Sequence, residues 1–132
     1  MSFFICPICK APLEHGEKRL FCEHGHSFDI SAEGYVHLLP PNKMNSKIPG
    51  DSAAMAAARS AFLNKGFYEP LQKALSEAVF ELFPKGGETV LDCGCGEGYY
   101  TAGIYADLCS KGAAPIMAGV DISRPSVKRA AK

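Results

Sequence analysis

Three regimes of hydrophobic patterning divide the chain. Over residues 1–39 the apolar positions come in brief runs, Phe3-Phe4-Ile5, Arg19-Leu20-Phe21 and Tyr35-Val36-His37-Leu38-Leu39, punctuated by Pro, Gly and Cys. This predicts short strands and turns. Residues 40–51 show no periodicity and hold Pro40, Pro41, Pro49 and Gly50, which reads as a linker. Asp51-Ser52 is a capping signal for a helix to about residue 64, closed by Gly66. Pro70 then opens a second helix, in which Leu71, Ala74, Leu75, Ala78, Val79, Leu82 and Phe83 follow the helical spacing. Pro84 and Gly86-Gly87 are expected to end it. From Glu88 the pattern becomes βαβ. Thr89-Val90-Leu91-Asp92-Cys93 has the character of a buried strand, residues 94–98 are a glycine-rich turn, and residues 99–110 read as a helix broken by Gly112. Residues 115–121 read as a second strand, and Ser123 or Ser126 starts a last helix.

The first 39 residues carry too little apolar mass for a core of their own. Segments below about 40 residues usually need a metal or disulfides to fold. The expected organisation is therefore a module at 1–39, a linker and helical segment at 40–84, and the start of an α/β domain at 85–132.

Composition narrows the function classes. Apolar residues make up 47% and charged residues 21%, which excludes disorder throughout. Fourteen basic and fourteen acidic residues cancel, so net charge does not announce a nucleic-acid binder. No uninterrupted apolar run approaches the ~18 residues of a membrane span. The N-terminus has neither a basic region nor a long apolar core, so no secretory signal is expected and a cytoplasmic location follows.

All four His and three of the six Cys fall in the first 40 residues. Cys6-Pro7-Ile8-Cys9 is followed, after twelve intervening residues, by Cys22-Glu23-His24-Gly25-His26. Two such turns, each donating two ligands, complete the tetrahedron of a structural Zn²⁺ site. Cys6, Cys9 and Cys22 supply three ligands, and the fourth is His26 or His24. His26 is preferred, because three intervening residues let the chain turn back on the metal. The competing reading is a redox pair or free buried thiols. Four protein ligands would leave no position for water, so the centre would be structural rather than hydrolytic. His15 and His37 have no partner pattern and are expected at the surface or in packing.

Asp92-Cys93-Gly94-Cys95-Gly96-Glu97-Gly98 follows a strand and opens a helix. Glycines there let a ligand approach the backbone, and the helix start offers free N–H groups. Asp121 ends the next strand, where a carboxylate can take both ribose hydroxyls of a nucleoside. A dinucleotide fingerprint would place its third glycine one residue later. Asp92 would also sit awkwardly beside a pyrophosphate. S-adenosyl-L-methionine has no phosphate, and its sulfonium and α-amino groups suit acids. The turn therefore favours S-adenosylmethionine over NAD, with Gly94, Gly96, Gly98 and Asp121 as contacts. Cys93 and Cys95, with one residue between them, are read as small packing residues rather than a second metal knuckle.

Taken with Ile48-Pro49-Gly50-Asp51-Ser52, Arg59-Ser60-Ala61-Phe62-Leu63, Tyr68-Glu69-Pro70-Leu71 and the turn itself through Tyr99-Tyr100-Thr101, the chain resembles the RlmA family of 23S rRNA (guanine-N1)-methyltransferases, N-terminal half only. The resemblance implies that Cys6, Cys9, Cys22 and His26 hold zinc in a module that grips RNA. It implies that Gly94, Gly96 and Glu97 form the cofactor turn, that Asp121 binds ribose, and that the aromatic Tyr68 covers the cofactor. The implied fold is α/β: a zinc-ribbon-like module, a helical linker and the first part of a Rossmann-like class I methyltransferase domain, truncated. The implied activity is methylation of N1 of a guanine in a 23S rRNA hairpin. Catalytic groups are expected beyond Lys132, so this chain alone is expected to be inactive. Its second half is expected to be poorly ordered, aggregation-prone or paired as a homodimer. Lys10, Lys18, Arg19, Lys43 and Lys47 are available for phosphate contacts. The alternative is a nonenzymatic zinc-dependent fragment that binds RNA or protein.

Overall fold

The computed structural model describes residues 3–44, 46–47, 49–82 and 89–132. It divides into two compact units, one formed mainly by residues 1–49 and the other by residues 50–130.

The first unit is a three-stranded antiparallel sheet in the order β1 (Glu14–His15), β2 (Arg19–Phe21), β3 (Ser27–Asp29). Arg19-Leu20-Phe21 is the predicted strand that forms as such. The run at residues 3–5 contributes only a bridge from Ile5 to Pro12, and the run at residues 35–39 only a bridge from Val36 to Ile30. The strands missed by pattern, β1 and β3, are too short and polar to show period-2 alternation. They form because they pair with β2, Glu14 opposite Phe21 and Phe28 opposite Leu20. The core is correspondingly small: Leu13 and Leu20 are fully buried with Cys6, Ala11 and Cys22, and Phe4, Phe28 and Ile30 pack around them. Two of its five buried members are thiols, so this core is built around the cysteines. A 3₁₀ turn, Pro41–Lys43, lies in the predicted linker.

The second unit begins with α1 (Ala53–Leu63). Ser52 Oγ accepts the Met55 N–H at 3.3 Å, as the capping signal predicts. Next come α2 (Glu69–Leu82), β4 (Thr89–Cys93), α3 (Tyr99–Ser110), β5 (Ile116–Val120) and α4 (Arg124–Ala130). β4 and β5 are parallel, with Leu91 opposite Ala118 and Cys93 opposite Val120. Ser123 Oγ accepts the Ser126 N–H at the start of α4. The predicted stop for α2 at Pro84 and Gly86-Gly87, and its last apolar position Phe83, lie outside the described residues.

Two expectations about burial are corrected. The apolar stripe that the helical spacing marks on α2 does not face a core: Leu71, Leu75 and Leu82 are exposed, and the buried positions are Gln72 and Ser76. α2 docks on α3 through a polar seam. Gln72 Nε2 donates to Ser76 Oγ at 2.7 Å and to Asp107 Oδ2 at 2.9 Å, and Lys73 Nζ donates to Asp107 Oδ1 at 2.9 Å. Gly103 permits this approach, because a Cβ there would stand 2.6 Å from the Gln72 side chain. Nor is β4 buried on both faces. Val90 and Asp92 point toward the α3 side, where Asp92 Oδ2 accepts from Thr101 Oγ1 at 2.5 Å. Leu91 on the other face is 46% exposed, and Ile116 of β5 is 59% exposed.

Candidate metal centre and cofactor turn

The metal centre is assembled by two turns at one end of the small sheet. The first, after Ile5, brings Cys6 and Cys9 together, with the Lys10 N–H bonded to the Cys6 carbonyl. The second, after β2, brings Cys22 and His26 together, closed by hydrogen bonds from Gly25 N–H to Cys22 O and from Cys22 N–H to His26 O. The ligand atoms of Cys6, Cys9, Cys22 and His26 all lie within 4.8 Å of one another. Cys9 Sγ is 3.7 Å from Cys22 Sγ, and His26 Nδ1 is 3.4 Å from Cys22 Sγ and 3.6 Å from Cys6 Sγ. A tetrahedral Zn²⁺, with Zn–S of ~2.3 Å and Zn–N of ~2.0 Å, spaces its ligand atoms by about 3.5–3.8 Å. The donor set therefore fits zinc in type and in spacing. His24 lies outside the cluster and is exposed, as are His15 and His37.

Electrostatics agree with a cation in this place. Burial opposes a charged Cys6, but the backbone amides of Cys9 and Ile8 and the neighbouring thiols outweigh it and hold the thiol below its ordinary pKa. Cys9 is held above its own: the Ala11 amide favours its thiolate, but burial and the Cys6 and Cys22 sulfurs oppose it more. A second thiolate beside a first is accommodated by a metal ion's charge.

The glycine turn is tied to both strands. Gly94 N–H and Cys95 N–H donate to the Val120 carbonyl at 2.7 and 3.1 Å. Gly94, Gly96 and Gly98 have φ of 92°, 57° and 92°, the left-handed region at alternate residues, which glycine adopts without strain. A Cβ on Gly94 would meet nothing within 4 Å, whereas one on Gly98 would meet Ala130 of α4 at 2.9 Å. Gly98 is buried, and the group packed against it is the helix. Asp121 holds the turn: its Oδ2 accepts the Gly96 N–H at 2.9 Å, and its Oδ1 accepts the Ser123 N–H at 2.7 Å. Each carboxylate oxygen keeps a further lone pair for a ligand hydroxyl.

Around this turn Glu97 is raised above the usual carboxylate range by burial, against the Tyr99 amide, Arg59 and Arg129. Tyr100 is raised by burial and by Tyr68, Tyr99 and Glu97, which places Tyr68 in the electrostatic neighbourhood of the first turn of α3. Tyr68 also packs edge-on to Phe62 at 5.8 Å and is 43% exposed. Cys95 is buried and its thiol is pushed up to about 11 by burial, then by Asp92 and Asp121, which suits a neutral packing residue. Cys93 is exposed, contrary to the packing role expected for it. Sequence reasoning assigned no site role to Arg59, and gave Asp51 and Ser123 helix-start roles only. Arg59 pairs with Asp51 at 2.8 Å, and the Asp51 carbonyl accepts from Ser123 Oγ at 2.7 Å. No spacing along the chain signals these contacts, because they depend on how α1 docks beside α4.

The turn at residues 94–98 and the Asp121 carboxylate form one hydrogen-bonded unit at the C-terminal ends of β4 and β5, and the N-terminal unit is a zinc ribbon. A family model described as the N-terminal part of RlmA, a zinc ribbon, matches residues 4–47. The chain is 36% identical over its whole length to a 23S rRNA (guanine(748)-N(1))-methyltransferase of Streptomyces fradiae, covering 45% of that protein. It is 35% identical to a putative 23S rRNA (guanine-N1)-methyltransferase of Micromonospora griseorubida, over 96% of this chain and 46% of the relative. A putative enzyme of the same description from Bacillus subtilis is 36% identical, over 99% and 46%. The chain thus resembles the RlmA family along its length, and it spans about half the length of the curated relatives it matches. Among the described residues, no helix is long and apolar enough to cross a membrane.

Proposed function

We propose that residues 1–132 form the zinc module and the cofactor-binding first portion of a Rossmann-like, S-adenosylmethionine-dependent 23S rRNA (guanine-N1)-methyltransferase. Cys6, Cys9, Cys22 and His26 hold one structural Zn²⁺. Gly94, Gly96, Glu97 and Gly98 form the cofactor turn, Asp121 takes the ribose hydroxyls, and Tyr68 covers the bound cofactor. The observation that carries the reading is the hydrogen bond from Gly96 to Asp121. It ties the glycine turn to Asp121 at the C-terminal ends of adjacent parallel strands, a position that supports the reading because nucleotide-like ligands bind there in such sheets.

The cofactor supplies an electrophilic methyl group on a sulfonium. The chain's own part is to bind and orient it. Acids at 92, 97 and 121 favour a cationic ligand, and the aromatic Tyr68 adds a face suited to one. Transfer to guanine N1 also needs the base held in line and its N1 proton taken, from a base exposed in a loop or flipped out. No residue of the chain is assigned to take that proton. The 132-residue chain is therefore a cofactor-binding part that does not turn over by itself, and its rRNA hairpin is a substrate of the longer enzyme.

The uncovered face of β4 and β5 favours a second reading, a zinc-dependent RNA- or protein-binding fragment without cofactor. Titration with S-adenosylmethionine separates the two. Saturable binding supports the methyltransferase reading, while zinc and RNA binding without it supports the second. Methyl transfer from labelled cofactor to unmethylated 23S rRNA, run with this chain and with a relative of full length, tests inactivity. Clear turnover by the 132-residue chain would refute it.

A further inference from the structure

Arg59 reaches the glycine turn from a different element. Its Nη1 lies 3.8 Å from the place a Cβ would take on Gly96, and its charge acts on Glu97, the next residue. The same nitrogen contacts Asp51 Oδ2 at 2.8 Å, yet half of the side chain remains exposed. Asp51 is itself anchored, because its carbonyl accepts from Ser123 Oγ two residues beyond Asp121. The guanidinium therefore stands beside the turn that follows β4, and the residue it pairs with is tied to the loop that follows β5. A guanidinium has five N–H donors in a planar fork, so the contact with Asp51 leaves capacity for a bidentate partner.

The other charged groups placed at the turn itself are acids: Asp92, Glu97 and Asp121. They suit a sulfonium and an α-ammonium group and oppose a carboxylate. The amino-acid end of S-adenosylmethionine carries all three, so a site for it needs a cation among these acids. Arg129 also acts on Glu97, but α4 meets the turn through Ala130 at Gly98, while Arg59 stands over Gly96. We propose that Arg59 binds the α-carboxylate of S-adenosylmethionine over Gly96, so that the site selects the carboxylated cofactor. This rests on the cofactor reading given above.

The test is calorimetric titration of the zinc-loaded chain with S-adenosylmethionine and with its decarboxylated analogue, for wild type, Arg59→Ala and Arg59→Lys. Loss of a charge-assisted contact should weaken S-adenosylmethionine by about tenfold or more in Arg59→Ala. The decarboxylated analogue should change by less than about twofold on the same ground, and Arg59→Lys should recover part of the loss. Equal losses for both ligands would show that Arg59 only braces Asp51. No loss for either would also overturn the assignment, and in both cases the cofactor site itself would stand. If wild type binds neither ligand, the cofactor reading falls and Arg59 falls with it. Thermal unfolding of each variant identifies any loss of fold, and the ratio of the two affinities, unlike either alone, is insensitive to the folded fraction.

Discussion

His24 and His26 stand two residues apart, and the turn between them gives them opposite surroundings. His26 Nδ1 comes within 3.6 Å of two thiols, while His24 is exposed. Atomic absorption should find one zinc per chain in the wild type and in His24→Ala, and a large loss in His26→Ala. Zinc binding in such small modules carries about 10–16 kcal/mol of folding energy, so His26→Ala should also unfold residues 1–39. Metal retained by His26→Ala and lost by His24→Ala would reverse the assignment. Asp121→Ala removes both the anchor of Gly96 and the ribose acceptor proposed above, and should weaken S-adenosylmethionine by about 1.5–3 kcal/mol in the same titration. An unchanged affinity would remove Asp121 from the site. The metal cluster was legible in the sequence because its geometry is local: each pair of ligands lies within one turn, and the spacing specifies that turn. Arg59 was not legible in the same way. It lies 37 residues before Gly96 and reaches it only because Gly50 packs on Ser123 and Asp51 is tied there.

Element boundaries in the βαβ segment were readable because turn chemistry marks them. Gly94 and Gly98 bracket the turn that leads into α3, Gly112 follows its end, and Ser123 opens α4. Burial was not readable for α2. Its apolar positions satisfy the helical period, but the partner in this structure meets the other side, through Gln72, Ser76 and Asp107. That seam has a pH signature. The Gln72 amide, then Lys73 and Ser76, hold the Asp107 carboxyl down at about 2. A carboxylate depressed in the folded state contributes stability above its unfolded pKa of about 3.9, and loses it as pH falls toward 2. Acid unfolding of the second unit, followed by circular dichroism, should therefore steepen between about pH 4 and pH 2. In Asp107→Asn the stability at neutral pH should be lower and that extra acid dependence absent. Equal acid profiles for the two proteins would show that the seam does not contribute.

At the scale of the whole chain, the second unit exposes apolar area of a kind that sheets normally cover. Leu91 and Ile116 lie on one face of β4 and β5, and Leu71, Leu75 and Leu82 lie along α2. A parallel sheet is normally covered on both faces, and the curated relatives are more than twice as long as the matched stretch. A point substitution can measure whether the face is open. Truncating a covered leucine to alanine costs about 2–5 kcal/mol, while a surface substitution stays within about 0.5 kcal/mol. In the 132-residue chain Leu91→Ala should behave as the second kind, and Leu20→Ala, fully enclosed in the zinc module, as the first. Denaturant unfolding gives both values. Sedimentation of the wild type across a concentration series then shows whether the face is used. If Leu91 is open and the chain remains monomeric, the face waits on polypeptide of another kind. If Leu91→Ala costs as much as Leu20→Ala and the wild type sediments as a dimer that the substitution dissociates, a second copy covers the face, as the homodimer expectation requires. A monomer in which Leu91→Ala costs several kcal/mol would contradict the exposed face itself.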